Sequence, residues 1–346
     1  MQKQPRETWL LYGATGYSGA HIAEKAVAMG YRPALAGRRN DEGKALAARL
    51  GLDWHCFDLT DAAALTSIVG RYTAVLHAAG PFIHTYKPMV EACLEAGTHY
   101  LDLTGEIEVF EALAALDGAA RKAGIMLMPG VGFDMVPGDC LALYLKRLMP
   151  DATSLEIGIS FEGTLSRGTI LSALLALHTG TTMARRNHRL VPLAQPLARS
   201  FDFGPGRCGG RADAYALTFG DLSVGWRTTG IPNITSYQRP VPEFAALAEL
   251  KPADVAALPA GPSAEELATI PTILIGEVRN DAGDVRAARL VIPQVYAITF
   301  DLAATIAQRV HEGWARGGYQ TPASVFGETY ITQFDRCTLH PWEPGR

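Results

Sequence analysis

Gly13-Ala14-Thr15-Gly16-Tyr17-Ser18-Gly19 is the stretch that decides the fold. It has the form GxxGxxG, follows the apolar run Trp9-Leu10-Leu11-Tyr12 and precedes a helical pattern from about Ala20 to Met29. A glycine-rich turn between a first strand and a first helix is where a dinucleotide pyrophosphate binds. Gly13 permits the tight turn, Gly16 lets the backbone approach the phosphates, and Gly19 lets the helix pack close to the strand. The unpaired N–H groups and positive end of that helix then face the anion. Thr15, Tyr17 and Ser18 complete the expected cradle. The same pattern also fits a plain strand-to-helix turn, so the surrounding rhythm has to carry the reading.

That rhythm is regular. Strand-like segments at Pro33–Ala36, Trp54–Phe57, Ala74–His77, His99–Leu101 and Ile125–Met128 alternate with helical segments. The helices run over Glu42–Leu50, from an Asp61 cap to about Val69, over Pro88–Ala96 and over Glu108–Ala123. Strict alternation with short connections predicts a parallel sheet covered on both faces. The fold class is therefore α/β, a Rossmann-type doubly wound parallel sheet, with a second α+β domain behind it. The rhythm breaks in the Pro- and Gly-rich stretch Met128–Asp139. Beyond it the sequence predicts a helix over about Cys140–Leu148, a strand over Leu155–Phe161 and an apolar helix over Ile170–Met183. Ala214–Thr228 reads as paired strands around Gly220-Asp221, and Glu277–Asn280 with Val285–Ile292 as a hairpin. Pro240–Pro271 reads as short helices or a surface excursion, and a last helix is expected over about Phe300–Trp314.

At the end of the second strand, Rossmann domains that bind NAD place a carboxylate on the ribose 2′-hydroxyl. This chain has Gly37-Arg38-Arg39 there, with no carboxylate before Asp41. Guanidinium groups suit a 2′-phosphate, because Arg matches phosphate oxygens in bidentate fashion. The expected cofactor is NADP(H), with solvated helix-start arginines as the plainer alternative. Asp58, closing the third strand, is placed beside the adenine, and Ala79-Gly80-Pro81-Phe82, after the fourth, along the nicotinamide.

Bulk properties exclude other classes. Apolar residues make up 48% and charged residues 19% of 346, with a net charge of −4. Nothing there suits nucleic acid or an anionic membrane. No apolar run approaches a membrane span, and Met1–Thr8 does not read as a signal peptide. The expected location is cytoplasmic. Five scattered cysteines show no CxxC and no zinc spacing, so no metal site is expected. A small-molecule substrate is the expected partner, and the apolar helix from Ile170 suits core or a homodimer contact.

Ligands of an open α/β sheet lie beyond the carboxyl ends of its strands. Asp102, Thr104 and Glu106 follow the fifth strand, and Asp134 follows the sixth. Hydride transfer needs a proton source, and a carboxyl with a raised pKa supplies one. Asp102 and Asp134 are the candidate catalytic residues. For Asp102 a helix cap is an equal alternative, whereas Asp134 has no obvious helix to cap for several residues. His77 ends a strand near the cofactor, and Arg167 and Arg227 are candidates for a substrate carboxylate.

Short-chain dehydrogenases also carry a glycine-rich first loop, but their chemistry needs a Tyr four residues before a Lys. Lys87, Lys122 and Lys146 follow Ile83, Gly118 and Ala142 at that spacing, and no other lysine follows a Tyr. Gly80-Pro81-Phe82, the run from Gly97 to Glu106 and the run from Gly132 to Asp139 instead resemble the saccharopine dehydrogenase-like oxidoreductases, in their trans-acting enoyl reductase branch. Gly230-Ile231-Pro232-Asn233, Thr321-Pro322-Ala323 and Phe326-Gly327 resemble them too. The resemblance is dense over Leu10–Leu145 and patchy beyond. It implies NADP(H), a first domain over 1–134 completed by 300–346, and a substrate or dimerisation domain over 135–299. It implies reduction of an imine or of an activated alkene such as an enoyl group. A redox-sensing regulator, or a cofactor-binding protein without turnover, is the alternative on the same scaffold.

Overall fold

The computed structural model describes residues 6–179, 181–241, 250–251 and 254–343. The chain divides into two compact units, Met1–Gly132 with Thr299–Gln320, and Phe133–Ile298 with Thr321–Arg346.

The first unit is built on β1 (Glu7–Tyr12), β2 (Ala34–Gly37), β3 (Trp54–Cys56), β4 (Tyr72–His77), β5 (His99–Asp102), β6 (Met126–Met128) and a late strand, Gly318–Tyr319. Every pairing is parallel, in the order late strand, 6, 5, 4, 1, 2, 3. This is the doubly wound order, with its reversal at β1 and β4. Between the strands run α1 (Tyr17–Ala28), α2 (Asn40–Leu50), α3 (Ala62–Val69), α4 (Phe82–Ala96), α5 (Ile107–Ala115) and α6 (Asp117–Ala123). Asp61 caps α3 as expected, its Oδ1 accepting from Ala64 N at 3.0 Å.

Alternation within β1 explains the two layers. Leu10 and Tyr12 enter a buried cluster with Val75, Met89, Val90 and Cys93. Trp9 points to the other face, where its Nε1 donates to Gln308 at 3.2 Å. Full burial of each such side chain contributes about 1.5–3 kcal/mol. The register aligns Tyr12 with His77, His77 with Asp102 and Leu101 with Met128, so the loops after β1, β4, β5 and β6 leave from one edge.

The second unit holds α7 (Val136–Leu148), β7 (Ser154–Ser160), α8 (Arg167–Thr179), β8 (Met183–Arg186), β9 (Arg189–Pro192), β10 (Ala198–Asp202), β11 (Arg211–Ala216), α9 (Asp221–Thr229) and β12 (Asn233–Gln238). After them come α10 (Ala264–Thr269), β13 (Thr272–Arg279), β14 (Val285–Ile292), α12 (Pro322–Phe326) and a last strand, Thr338–Pro341, while α11 (Val295–Arg309) passes from the second unit into the first at Thr299. Its nine-stranded sheet is mixed, parallel only where β12 meets β7. A Cβ at Gly276 of β13 would meet Leu141 and Leu145 of α7, so that helix sits tight on one face. Phe201 of β10 packs on Gly158 and Tyr237 on the other.

Several expectations differ from what is observed: the helix expected over Pro88–Ala96 begins at Phe82, and the one expected over Ile170–Met183 runs over Arg167–Thr179, with Met183 opening β8. The helix expected over Glu108–Ala123 breaks at Leu116, where Asp117 turns its Oδ1 to the Tyr319 amide of the late strand, at 2.8 Å. Ala214–Thr228 is not a hairpin. Asp221–Thr229 is helical, and β11 pairs with β12 instead. The helix expected from Cys140 begins at Val136. The C-terminal segment does not join the first unit as a whole. Gly318–Tyr319 extends the first sheet, whereas Thr338–Pro341 pairs with β14 in the second. Part of the excursion expected over 240–271 lies outside the described residues, and the rest holds a short 3₁₀ turn and α10. Among the described residues no helix is long and apolar enough to cross a membrane.

Candidate functional site: a dinucleotide cradle and its strand-end loops

The glycine turn has the geometry its sequence requires. Gly13 sits at φ +87°, a left-handed conformation that disfavours a side chain, and a Cβ there would come within 2.8 Å of the Ala78 carbonyl carbon. At Gly19 a Cβ would overlap the Gly13 carbonyl oxygen, so helix and strand touch through backbone. Gly16 differs. A Cβ there would meet only the Gly13 oxygen, at 3.3 Å, and otherwise open space. Gly16 is also the N-cap of α1 and offers no side chain to its first-turn amides. An open approach to uncapped amides, followed by Tyr17 and Ser18 in the first turn, fits a pyrophosphate.

The two arginines after β2 are placed differently. Arg39 is committed to protein. Its Nε donates to Thr15 Oγ1 at 3.2 Å, its Nη2 to the Thr15 carbonyl, and its Nη1 pairs with Glu42 at 2.7 Å. Arg38 stands 75% exposed, with one loose partner, Asp58 Oδ2 at 3.9 Å. Asp58 accepts from Thr60 N at 3.0 Å and Thr60 Oγ1 at 2.8 Å, and these bonds hold its pKa below the usual range. At Gly37 a Cβ would lie 3.1 Å from the Trp54 ring, a tight contact that the ring would have to relieve by a few tenths of an ångström.

The loop after β4 carries Ala79, Gly80, Pro81 and Phe82, with a cis Gly80–Pro81 peptide. The Glu106 carboxylate receives the first amides of α4, Phe82 N at 2.9 Å and Ile83 N at 2.6 Å. The Glu106 side chain thus caps α4 and not α5, the helix that follows it. His77 is fully buried between Tyr12 and Phe82, and burial pushes its pKa down to about 3. It packs the core and presents nothing to a ligand.

The two candidate acids also part company. Asp102 has 0% exposure. Its carboxylate accepts from Tyr100 OH at 2.8 Å, Thr104 N at 3.0 Å and Gly130 N at 2.8 Å. Burial pushes it up to about 7 against those bonds. Asp134, in the second unit, is half-buried in the turn just before α7. The expectation that no helix starts near it is corrected, since Val136 follows two positions on.

Sequence reading missed two further acids of the second unit. Asp139 on α7 accepts from Thr228 Oγ1 and from Ala323 N at 2.6 Å, and Asp221 on α9 accepts from Ser236 Oγ at 3.3 Å. Desolvation pushes each up to about 7, and for Asp221 the charges of Asp139 and Asp134 add to it. Gly138 gives Asp221 its room, because a Cβ there would overlap Asp221 Oδ1. Among the arginines, Arg167 is tied to the Leu258 carbonyl, its Nε at 2.8 Å, and Arg227 lies over Trp226. A cavity of about 460 Å³ is lined instead by Arg207 and Arg239, which no sequence motif singles out.

Asp221 sets a pH dependence with a definite sign. A carboxyl whose pKa is higher in the folded than in the unfolded chain adds stability as pH falls through the folded value, here about 7. Above it, the ionised group is a cost. Asp221→Asn should therefore raise the melting temperature at about pH 8, and the gain should shrink as pH falls through about 7 and vanish at about pH 3, below both the folded value and the unfolded value of 3.8. Calorimetric scans of both proteins across that range are the measurement. A variant less stable than the parent at about pH 8 would contradict the assignment.

A parallel sheet of this order, with an open glycine turn after β1, defines a dinucleotide-binding domain. Residues 9–128 match the family model described as the saccharopine dehydrogenase NADP-binding domain. That part of the chain, about a third of its 346 residues, is similar to the NADP-binding domain of this family. Among curated proteins, a Mycobacterium tuberculosis protein provisionally named a trans-acting enoyl reductase is 34% identical over 196 residues, 52% of this chain and 47% of its own length. The trans-acting enoyl reductase of Mycobacterium leprae is 35% identical over 153 residues, 42% of this chain and 37% of its own. The chain thus spans less than half the length of these relatives. Among solved structures, apo saccharopine dehydrogenase (L-Glu forming) of Saccharomyces cerevisiae is similar with a TM-score of 0.67 at 12% identity, covering 97% of this chain and 100% of that one. At that identity the likeness concerns the fold alone.

Proposed function

We propose that this chain is an NADP-dependent reductase acting on an activated C=C bond of a small molecule, with a C=N bond as the other acceptor it would take. The observation that carries the cofactor half is the pairing of an open, uncapped glycine turn with the exposed Arg38 guanidinium at the end of β2. The name of the mycobacterial relatives supports the alkene over the imine. NADPH supplies the hydride when bound. Gly13, Thr15, Gly16, Tyr17, Ser18 and Gly19 hold the pyrophosphate, and Arg38 holds the 2′-phosphate. Arg39 braces the turn through Thr15, Gly37 and Asp58 shape the adenosine side, and Ala79–Phe82 line the nicotinamide side. The hydride goes to one carbon of the double bond, and the other carbon takes a proton. Asp134 is the proposed donor, and solvent returns its proton after turnover. Asp102 exposes no atom and spends its hydrogen bonds inward, so it serves position and not proton transfer.

Oxidation of NADPH by a short 2-enoyl thioester, followed by absorbance, is the direct test. Tight NADPH binding with no turnover on enoyl thioesters or cyclic imines would sink the reductase reading. The cofactor preference is tested separately. A charge-assisted hydrogen bond contributes roughly 1.5–3 kcal/mol, which is about tenfold or more in affinity. Arg38→Ala should weaken NADPH by that factor and leave NADH unchanged, as read by calorimetry. Equal loss for both cofactors would remove Arg38 from the 2′-phosphate.

A further inference from the structure

The block Asp102-Leu103-Thr104-Gly105-Glu106 forms one chain of hydrogen bonds that joins the loops after three neighbouring strands. Asp102 closes β5. Its Oδ1 takes Gly130 N, beyond β6, and Thr104 N, in its own loop, while its backbone oxygen takes Val131 N at 2.8 Å. Thr104 is fully buried, and its Oγ1 accepts from Glu106 N at 3.1 Å. Glu106 then reaches the loop after β4 through the amides of Phe82 and Ile83. From the far side, Thr85 Oγ1 donates to the Ala79 carbonyl at 2.7 Å and contacts His77 Nε2 at 3.0 Å, fixing that loop to β4. Bonds from backbone N–H to carboxylate are among the stronger protein hydrogen bonds, and at Asp102 no water competes for them.

We infer that Asp102, Thr104 and Glu106 are positioning residues that set the loops after β4, β5 and β6 as a single piece, where the nicotinamide half of the cofactor would lie. This rests on the cofactor reading above. Strand order confines the effect. The adenosine-side groups, Arg38 and Asp58, follow β2 and β3, on the other side of β1 from the braced loops. The brace therefore acts on one half of the dinucleotide.

Two probes separate the halves: NADP⁺, and adenosine 2′,5′-bisphosphate, which lacks the nicotinamide. Glu106→Ala and Thr104→Val should bind the bisphosphate as the parent does and NADP⁺ about tenfold more weakly, the scale of one lost charge-assisted bond. Thr104→Ser keeps the hydroxyl and should restore binding. Equal weakening of both probes in Glu106→Ala and Thr104→Val would make the block a general support of the fold and overturn the inference. Unchanged binding of both probes would overturn it as well. A parent that binds neither probe would instead refute the cofactor reading, and the inference with it.

Discussion

Gly16→Val is expected to abolish NADPH binding while leaving the fold intact. The reason lies in the contrast between two glycines of one turn. At Gly19 a side chain would overlap the Gly13 carbonyl, so substitution there strikes the packing of α1 on β1. At Gly16 a Cβ meets only one backbone oxygen, at 3.3 Å, and the rest of the space is open. A valine fills the volume through which the pyrophosphate reaches the uncapped amides of α1. The backbone at Gly16, with φ −75° and ψ 166°, suits any residue, so the change asks only that the Gly13 carbonyl give by a few tenths of an ångström. Fluorescence titration with NADPH and a thermal melt, on Gly16→Val and Gly19→Val together, make the test. The first variant should lose binding and keep its melting temperature, and the second should lose stability. NADPH bound normally by Gly16→Val would place the cofactor elsewhere.

Asp134→Asn is expected to slow turnover by about 10²–10⁴-fold, the usual contribution of a positioned general acid, with NADPH affinity little changed. An amide keeps the shape of the group and removes its acidic proton. Asp134 is half-buried in the turn just before α7, whereas Asp102 is sealed within its own hydrogen bonds. Single-turnover NADPH oxidation should therefore separate them, with Asp134→Asn slow and Asp102→Asn near the parent rate. The reverse order would make Asp102 the donor. Parent rates in both would leave the proton to water or substrate and remove Asp134 from the chemistry.

Much of the first unit was legible in its sequence, because the signals were local. The six strands of the first third fell where short apolar runs lay between glycine turns and helical patterns. The Asp61 cap and the GxxGxxG turn depend on residues a few positions apart. Legibility fell where partners are distant. Ala214–Thr228 reads as paired strands around Gly220-Asp221, but Asp221–Thr229 is helical and buries Leu222, Ser223, Val224 and Gly225 together. The tertiary setting overrode the local pattern.

The sequence by itself determined the doubly wound class, the place of the glycine turn and the presence of guanidinium groups where an NAD-type carboxylate would stand. Each of these follows from backbone preference or side-chain chemistry within one strand–turn–helix unit. Only the tertiary structure decided how the charged groups divide their work. Arg39 is spent on Thr15, 24 positions away, which leaves Arg38 exposed. Glu106 serves α4, and not the helix after it, because the parallel register brings the loops after β4 and β5 side by side. Asp102 turns inward for the same reason, since Gly130, 28 positions on, arrives at the neighbouring strand end. A carboxylate pairs with the amides that packing brings to it, and sequence distance does not reveal which amides those are.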